Sequence, residues 1–287
     1  MQDWKYPYEV QQVVVLDSIE IAYVEAGAGD QTLLFVHGLG SNLKAWQKNM
    51  DALKDEFRCI ALDLPGYGKS SKGDYTFEVD FFAQTIHQFI DSLSLQNVTL
   101  IGHSMGGQIA MRTVLQDNKR IDKLILIAPA GFETFSEKEQ SWFQNFVTPT
   151  IIKATPEKQI TQNFYLNFHV FPEDAQFMID DRFAMRTTEE YDYYCEMIPK
   201  CVMGMLNGSV RAQLSAIETP TLILFGENDR LIPNAFFHPD LTTLKVAQIG
   251  DEVIPNSKLA MIPKAGHFVQ WEQAELVNPI LRNFLKR

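Results

Sequence analysis

The segment from Gly102 to Gly106, with the sequence Gly-His-Ser-Met-Gly, constrains the fold of this chain more than any other segment. It lies between an apolar run of strand type, Val98–Ile101, and a stretch of helical spacing, Met105–Gln116. Small residues two positions before and after a serine are needed where the backbone folds back sharply, because larger side chains would clash there. The segment therefore predicts a sharp strand-to-helix turn that exposes the Ser104 hydroxyl at the N-terminus of a helix.

Short β-rich runs alternate with longer segments of helical spacing along most of this chain of 287 residues. Such alternation is typical of βαβ units, which build a mostly parallel sheet flanked by helices. We therefore predict an α/β fold. The predicted strands are Val13–Leu16, Ile19–Val24, Thr32–Val36, Arg58–Asp63, Val98–Ile101, Leu124–Ala128, Thr221–Phe225 and Leu259–Ile262, and the predicted helices are Asn42–Lys54, Phe77–Leu93, Met105–Gln116 and Glu272–Leu285.

The alternation stops in the middle of the chain. From Gly131 to about Ala212 no buried-strand run occurs, and helix-like segments are separated by prolines. This stretch is rich in Phe, Tyr and Met. We expect most of them to form the core of a small helical unit, while a few face a crevice as apolar walls. The sequence therefore predicts an α/β core domain at 1–130 and 213–287 and a helical cap insertion at 131–212.

The composition excludes several classes of protein. Hydrophobic residues make up 46% of the chain and charged residues 21%, which is typical of a globular protein with a sizeable core. The net charge of −11 argues against nucleic acid as a partner, because phosphate binding needs concentrated Lys and Arg. No run approaches the roughly 18 apolar residues of a membrane span. A small-molecule partner is expected, and the sequence leaves the oligomeric state unknown.

Cysteine content and the N-terminal residues bear on the cellular compartment. The three cysteines, Cys59, Cys195 and Cys201, are odd in number and lack CxxC spacing, so a disulfide framework is not expected. The first residues show no basic start followed by an apolar run, which a signal peptide would have. We therefore predict a cytoplasmic protein, with secretion left open if a signal peptide has been removed.

Two residues elsewhere in the chain complete a pattern for nucleophilic catalysis. Asp229 follows the predicted strand Thr221–Phe225, and His267 follows the last predicted strand. Groups at the carboxyl ends of parallel strands converge in one crevice. A serine hydroxyl is a weak nucleophile until a base accepts its proton, and that base needs a carboxylate to fix its tautomer. We therefore predict a triad of Ser104 as nucleophile, His267 as base and Asp229 as the orienting acid.

Five short motifs cover nearly the whole chain, namely His37-Gly38-Leu39-Gly40, Asp63-Leu64-Pro65-Gly66-Tyr67-Gly68-Lys69-Ser70, Gly102-His103-Ser104-Met105-Gly106-Gly107, Phe225-Gly226-Glu227-Asn228-Asp229 and Gly266-His267. Together they resemble the α/β-hydrolase superfamily, specifically its cap-bearing serine hydrolase branch of esterases, C–C hydrolases and cofactor-free haloperoxidases. The resemblance implies an oxyanion hole formed by the backbone amides of Leu39 and Met105. The reaction that it implies requires no cofactor.

Two features qualify this resemblance. The stretch from Asp229 to His267 looks longer than the usual connection in the family. Its extra residues, Phe236–Gly250, either line the site mouth or lie on the surface, and we favour the surface. The nucleophile position holds a serine, which speaks against haloalkane dehalogenases and epoxide hydrolases, because their mechanism needs a carboxylate there.

Other candidate sites are rejected on spacing. A Gly-Lys-Ser run at 68–70 resembles the end of a phosphate-binding loop, but Asp63 stands where that motif needs a glycine, so nucleotide binding is not expected. His37 and His103 flank the site and are expected to orient loops. The other histidines lack ligand spacing, so no metal site is predicted; they are His87, His169 and His238.

These residues predict acyl transfer to water by a serine hydrolase, and a carboxylesterase acting on small to medium apolar esters is the leading interpretation. Two alternatives use the same triad, namely C–C bond hydrolysis and perhydrolysis, and pocket contacts rather than the fold distinguish them. A third alternative, from a different class, is a ligand-binding receptor on a hydrolase scaffold in which turnover is slow or incidental.

Overall fold

The computed structural model describes residues 4–286. Its centre is one sheet made of β1 (Val10–Val15), β2 (Ile19–Ala26), β3 (Thr32–Val36), β4 (Arg58–Leu62), β5 (Val98–His103), β6 (Ile121–Ile127), β7 (Thr221–Gly226) and β8 (Ser257–Ile262). The strands lie in the order β1-β2-β4-β3-β5-β6-β7-β8. β2 is antiparallel to both of its neighbours, and all other neighbouring strands are parallel. The prediction of a mostly parallel α/β fold is confirmed.

The central strands are mostly hydrophobic because both faces of a parallel sheet are covered in such folds. Every residue of β3, β5 and β7 is buried. At the two edges of the sheet, only Val15 of β1 and Ile262 of β8 are buried. The loops that follow the central strands therefore start from positions fixed within the core.

Helices connect the strands and cover the sheet. α3 packs on β5 and β6. No helix within residues 4–286 has both the length and the hydrophobicity needed to cross a bilayer. The helices are α1 (Gln47–Leu53), α2 (Val79–Ser92), α3 (Met105–Gln116), α4 (Glu137–Phe146), α5 (Pro149–Ala154), α6 (Glu157–Leu166), α7 (Gln176–Arg186), α8 (Glu190–Asn207), α9 (Thr243–Val253), α10 (Val269–Glu272) and α11 (Ala274–Leu285).

Two helices differ from their sequence-based predictions by an interruption. The predicted helix Asn42–Lys54 is a 3-10 turn, Leu43–Trp46, followed by α1. The predicted terminal helix Glu272–Leu285 corresponds to α11, and Gln273 separates it from the short helix α10, of which only Glu272 lies within the predicted range. Hydrophobic spacing identified both helical segments but did not locate the breaks within them, because the apolar positions continue through each break.

α9 corrects the expectation for the stretch Phe236–Gly250. Val246, Ala247 and Gly250 of α9 are buried, and the helix packs on β7 and β8. Gly250 is in such close contact that a Cβ atom there would lie 2.3 Å from the Phe132 ring. The expectation of a surface loop is therefore wrong for α9, although Phe236 in the loop before it is exposed.

The connection between β6 and β7 contains α4 to α8. α8 packs against α4, α5 and α7, and it approaches the rest of the molecule so closely that a Cβ on Gly204 would lie 2.2 Å from the Phe77 carbonyl oxygen. By contrast, α4 and α5 contain no buried residue. α8 thus anchors the helical segment, and α7 does so as well through Asp181 and Arg182, which contact Lys44 and Gly40. Its division from the core domain at residues 131 and 212 stays a prediction.

Candidate active site

Ser104 occupies a strained turn between β5 and α3. Its backbone angles are φ 55° and ψ −119°, in the region that only glycine adopts easily. The turn leaves no space for side chains beside it: a Cβ on Gly102 would lie 2.2 Å from the Gly106 carbonyl oxygen, and a Cβ on Gly106 would lie 2.3 Å from that of Val36. The Ser104 N–H donates to the Ile127 carbonyl at 3.0 Å, which ties the turn to β6. This geometry is the sharp turn that the sequence predicts.

His267 and Asp229 lie in the loops after β8 and β7. The Nδ1 atom of His267 is 2.8 Å from Oδ2 of Asp229, and the two side chains are 4% and 0% exposed. The other carboxylate oxygen of Asp229 accepts hydrogen bonds from the backbone N–H groups of Leu231 at 2.8 Å and Ile232 at 3.1 Å. Because an ionised carboxylate only accepts, Nδ1 carries the proton and Nε2 is left as the basic nitrogen.

His103, which precedes Ser104, holds the backbone of His267. Its Nε2 atom donates to the His267 carbonyl at 2.9 Å, and the two rings lie with centroids 4.8 Å apart. Complete burial, together with the neighbouring His267, holds the pKa of His103 well below its usual value. His103 is therefore neutral near pH 7 and acts as a positioning residue, in agreement with its expected role.

His37 fixes the loop after β3. Its Nδ1 atom donates to the Gly38 carbonyl at 2.8 Å, and its Nε2 atom accepts from the Leu64 N–H at 3.1 Å. Burial lowers the pKa of His37, which keeps the ring neutral and this pattern intact. The loop lies directly against Ser104, since a Cβ on Gly38 would lie 3.0 Å from the Ser104 Cβ atom.

Asp63 is a structural residue whose role the sequence did not reveal. Its buried carboxylate accepts hydrogen bonds from the backbone N–H groups of Leu43 at 2.9 Å and Lys69 at 2.8 Å. It therefore joins the loop after β4 to the segment that follows the His37 loop. No local signal indicates this role, because one of the two donors lies 20 positions before Asp63 in the chain.

Ser104, His267 and Leu39 line one cavity of about 340 Å³. Asp229 contacts His267 but does not itself line the cavity. Met105 is the first residue of α3. The first N–H groups of a helix have no acceptor within the helix, so the Met105 N–H is available beside Ser104. The cavity wall is largely apolar, and its apolar side chains include Phe135, Phe143, Val202, Met205, Leu206, Leu231, Ile232 and Phe268.

A second cavity, of about 290 Å³, adjoins the first and shares Leu39, Asn167 and Phe268 with it. Its basic residue Arg182 is engaged with the protein: Nη2 donates to the Gly40 carbonyl at 2.7 Å, and the guanidinium lies 4.2 Å from the centroid of the Tyr194 ring. Many aromatic and Met residues of the helical segment line one of the two cavities, and several of these also pack in the same hydrophobic cluster as the sheet, for example Tyr191, Tyr194 and Met197.

Glu133 is the residue of the site that the sequence analysis missed. It lines the Ser104 cavity and accepts hydrogen bonds from the Asn234 N–H at 2.9 Å and from His238 Nδ1 at 2.5 Å. Burial raises its pKa, although its contacts with His238 and Asn234 lower it. The partners are more than 100 positions away in the chain, so no spacing rule could have found them. Within residues 4–286, this site included, no three His, Cys, Asp or Glu side chains form a group that could hold a metal ion.

The model of the α/β-hydrolase fold family matches residues 31–274 of the chain. A protein of Synechocystis sp. that is named as a non-heme chloroperoxidase is 30% identical, with 94% of this chain and 96% of the relative covered. The chain therefore belongs to the α/β-hydrolase fold family. The resemblance inferred from its motifs is confirmed.

Other relatives have different activities. A 2-hydroxy-6-oxononadienedioate/2-hydroxy-6-oxononatrienedioate hydrolase of Escherichia coli is 28% identical, covering 94% of this chain and 92% of the relative. The dihydrolipoyllysine-residue acetyltransferase component of the acetoin cleaving system of Pseudomonas putida is 29% identical over 91% of this chain, which spans 65% of the length of that relative. An esterase of Exiguobacterium antarcticum has the same fold, with a TM-score of 0.81 and 23% identity, over 96% of this chain and 99% of its own.

Proposed function

We propose that this protein is a serine hydrolase in which Ser104 is the nucleophile, His267 the base and Asp229 the acid that orients the base. The observation that carries the proposal is the 2.8 Å contact between His267 and Asp229 at the cavity that contains the strained Ser104 turn. Strain of about 1–3 kcal/mol at a non-glycine residue persists only where the surrounding structure imposes it. A turn that serves packing alone would not need a serine there.

The proposed reaction is acyl transfer to water. Ser104 Oγ attacks the substrate carbonyl while its proton passes to Nε2 of His267, and the imidazolium then returns that proton to the leaving alcohol. Water attacks the acyl-enzyme by the same route and releases the acid. Asp229 holds the protonated Nδ1 throughout, because both of its oxygens are already engaged in hydrogen bonds.

The backbone N–H groups of Leu39 and Met105 would bind the developing oxyanion. Two observations support this assignment: the contact of Gly38 with Ser104, which brings the next N–H to the site, and the position of Met105 at the start of α3. The positive end of the α3 dipole adds to the stabilisation of negative charge. Loss of one such donor typically lowers the rate by about 10²–10³-fold.

Esters of small to medium apolar acids are the substrates we propose. The Ser104 cavity is lined by aromatic, aliphatic and Met side chains, and it contains no lysine or arginine among the described residues. The Escherichia coli relative is named for a dicarboxylate substrate, for which this cavity offers no cation. Arg182 in the adjoining cavity is already bonded to Gly40. The lining therefore favours a neutral ester over an anionic C–C hydrolase substrate.

We propose that the helices between β6 and β7 act as the cap that forms the roof of this cavity. α8 contributes Val202, Met205 and Leu206 to the lining, and α4 contributes Gln140 and Phe143. Each methylene buried against such a wall contributes about 0.8 kcal/mol, or nearly fourfold in affinity. Catalytic efficiency should consequently rise with acyl chain length until the cavity is full.

The test uses a fluorophosphonate probe and a series of para-nitrophenyl esters of increasing chain length. We expect the wild type to be labelled once and to show a rise and then a fall in kcat/KM along the series. Ser104→Ala should lose labelling and lower kcat by about 10⁵–10⁶-fold. Stoichiometric labelling of the Ala variant at another serine would overturn the assignment, and labelling without turnover of any ester would favour a receptor.

A further inference from the structure

The cavity that contains Ser104 has a single acidic residue in its wall, counting the residues that the structure describes. Glu133, in the loop after β6, lines this cavity, whereas Asp229 is covered by His267. No lysine or arginine lines the cavity alongside Glu133. The charge of Glu133 therefore acts on a bound substrate without a cationic side chain in the same wall to offset it.

Glu133 is held firmly in this position. Its side chain is only 7% exposed, and its Oε1 atom accepts hydrogen bonds from the Asn234 N–H and from His238 Nδ1. His238 also lies 3.5 Å from Glu139 through its Nε2 atom, so one imidazole joins α4 to the loops after β6 and β7. A carboxylate fixed by two donors cannot rotate away from an approaching ligand without breaking both hydrogen bonds.

We infer that Glu133 determines specificity by excluding acyl groups that end in a negative charge and by favouring neutral acyl groups or those that end in an ammonium group. This inference rests on the proposed function, since it concerns the substrate of the same site. The effect of Glu133 is local to the cavity. It differs from the effect of the net charge of −11, which repels anions over the whole surface.

The physical basis is the desolvation of charge within the cavity. An anionic group that enters an apolar cavity loses its hydration, and a nearby carboxylate then repels it more strongly than it would in water. Two like charges brought together in this way therefore disfavour binding, whereas opposite charges favour it. A terminal ammonium group gains the corresponding attraction. The binding of a terminal methyl group does not depend on the charge of Glu133.

The experiment compares three para-nitrophenyl esters of equal length at about pH 8, above the ordinary histidine pKa. They are the hexanoate, the monoester of adipate, which ends in a carboxylate, and the ε-aminohexanoate, which ends in an ammonium group. Each kcat/KM is divided by that of the hexanoate on the same preparation. These ratios do not depend on the fraction of active protein, so a partly unstable variant still gives an answer.

For Glu133→Gln, we expect the adipate ratio to rise about tenfold and the ε-aminohexanoate ratio to fall by a similar factor. The glutamine is isosteric and can still accept from Asn234. Glu139→Gln is the matched control, because it removes the same charge beside His238 from a side chain outside the cavity wall, and glutamine also serves in the helix cap that Glu139 forms with Ser136. Its ratios should stay within about twofold of the wild type.

The labelling rate of two fluorophosphonates, one with a hexyl tail and one with a tail that ends in a carboxylate, gives the same comparison without turnover. If these rates shift in Glu133→Gln while no ester is hydrolysed, the esterase proposal fails and the inference about Glu133 stands. If the neutral ester is hydrolysed but both sets of ratios are unchanged in Glu133→Gln, or shift equally in Glu139→Gln, the inference about Glu133 is wrong.

Discussion

The core side and the helical side of the Ser104 cavity are held in place by different interactions. On the core side, the Ser104 N–H is bonded to β6 and His267 is bonded to both Asp229 and His103. On the helical side, Phe143 lies in the cavity wall through ring contacts with other aromatic side chains. The Ser104 turn and His267 are thus positioned by hydrogen bonds, whereas Phe143 is positioned by packing against other rings.

The helices on the two sides differ in burial as well. α3, which begins after Ser104, has nine buried residues, whereas α4 has none. Because core packing is intolerant of volume changes, the core side, where α3 lies, has little freedom to vary. On the helical side, α4 can change its side chains with little effect on the fold, whereas α8, which has eight buried residues, cannot. We propose that reaction type is determined by the core side and substrate preference chiefly by α4.

The largest effect that would test the core side is expected for Asp229→Asn. The asparagine keeps the shape of the side chain but can donate to Nδ1, which stabilises the wrong tautomer of His267, so kcat should fall by about 10⁴-fold. Steady-state kinetics on a neutral ester measure this effect. The control is Glu227→Gln, which removes an exposed carboxylate from the same loop. A loss of less than tenfold in Asp229→Asn would mean that the carboxylate does not orient the base.

Gly106→Ala tests the backbone constraint on the core side. The new Cβ would lie 2.3 Å from the Val36 carbonyl oxygen, and backbone atoms cannot move apart without disturbing β3. We expect the free energy of unfolding to fall by about 3 kcal/mol or more, as urea denaturation would measure. The matched substitution on the helical side is Gln144→Ala at an exposed position of α4, which should change stability by at most about 0.5 kcal/mol. An equal loss of unfolding free energy in the two variants would mean that the core side and the helical side do not differ in their tolerance of substitution.

The third prediction concerns pH and the buried histidines of the core side. Burial depresses the pKa of both His37 and His103, so at mildly acidic pH these histidines are protonated in the unfolded chain but not in the folded chain. The free energy of unfolding is therefore unaffected by these two histidines above about pH 6.5. As the pH drops below that value, the free energy of unfolding falls by at most about 1.4 kcal/mol per pH unit for each histidine. Denaturation curves between pH 7.5 and 5 measure the slope. His103→Gln, whose amide can still donate to the His267 carbonyl, should make it shallower, and an unchanged slope would contradict the assignment.

Phe143→Ala is expected to have the smallest effect and tests the helical side. It enlarges the cavity at its wall, so the acyl chain length that gives the highest kcat/KM should increase by about one or two methylenes, each worth nearly fourfold in efficiency. Phe146→Ala removes an aromatic ring from the same helix at a position that is 53% exposed and outside the cavity wall. The para-nitrophenyl ester series should give the wild-type optimum for that variant. A shifted optimum in both variants would mean that α4 acts as a whole and not through Phe143.

The elements of the core were predictable because each carries its own local signal. β3 was predicted with its observed bounds, Thr32–Val36, since an apolar run that is buried on both faces contrasts sharply with the polar loops around it. α3 was also predicted with its observed bounds, because the Gly-His-Ser-Met-Gly turn sets its start. The candidate residues Ser104, Asp229 and His267 followed from the same logic, since each stands at the end of a predicted strand.

The contacts that shape the cavity were not predictable in the same way. Glu133, Asn234 and His238 meet across about 100 positions of sequence, and each one lies in a loop whose residues show no periodicity. α9 was missed because its apolar positions follow a loop with an exposed phenylalanine, and the periodic signal is short. Which aromatic residues of the helical segment face the Ser104 cavity depends on how α4 and α8 pack.

The sequence by itself determined the α/β fold, the strand-to-helix turn at Ser104 and the order of the candidate triad, because strand burial, glycine sterics and residue spacing are local properties. The tertiary structure alone decided that His103 supports the backbone of His267, that Asp63 joins two loops, and that Glu133 lies in the wall of an otherwise apolar cavity. These depend on side chains from distant segments that meet only when the sheet is assembled. The sequence shows which side chains can carry a charge, but the burial that strengthens the effect of this charge exists only in the folded molecule.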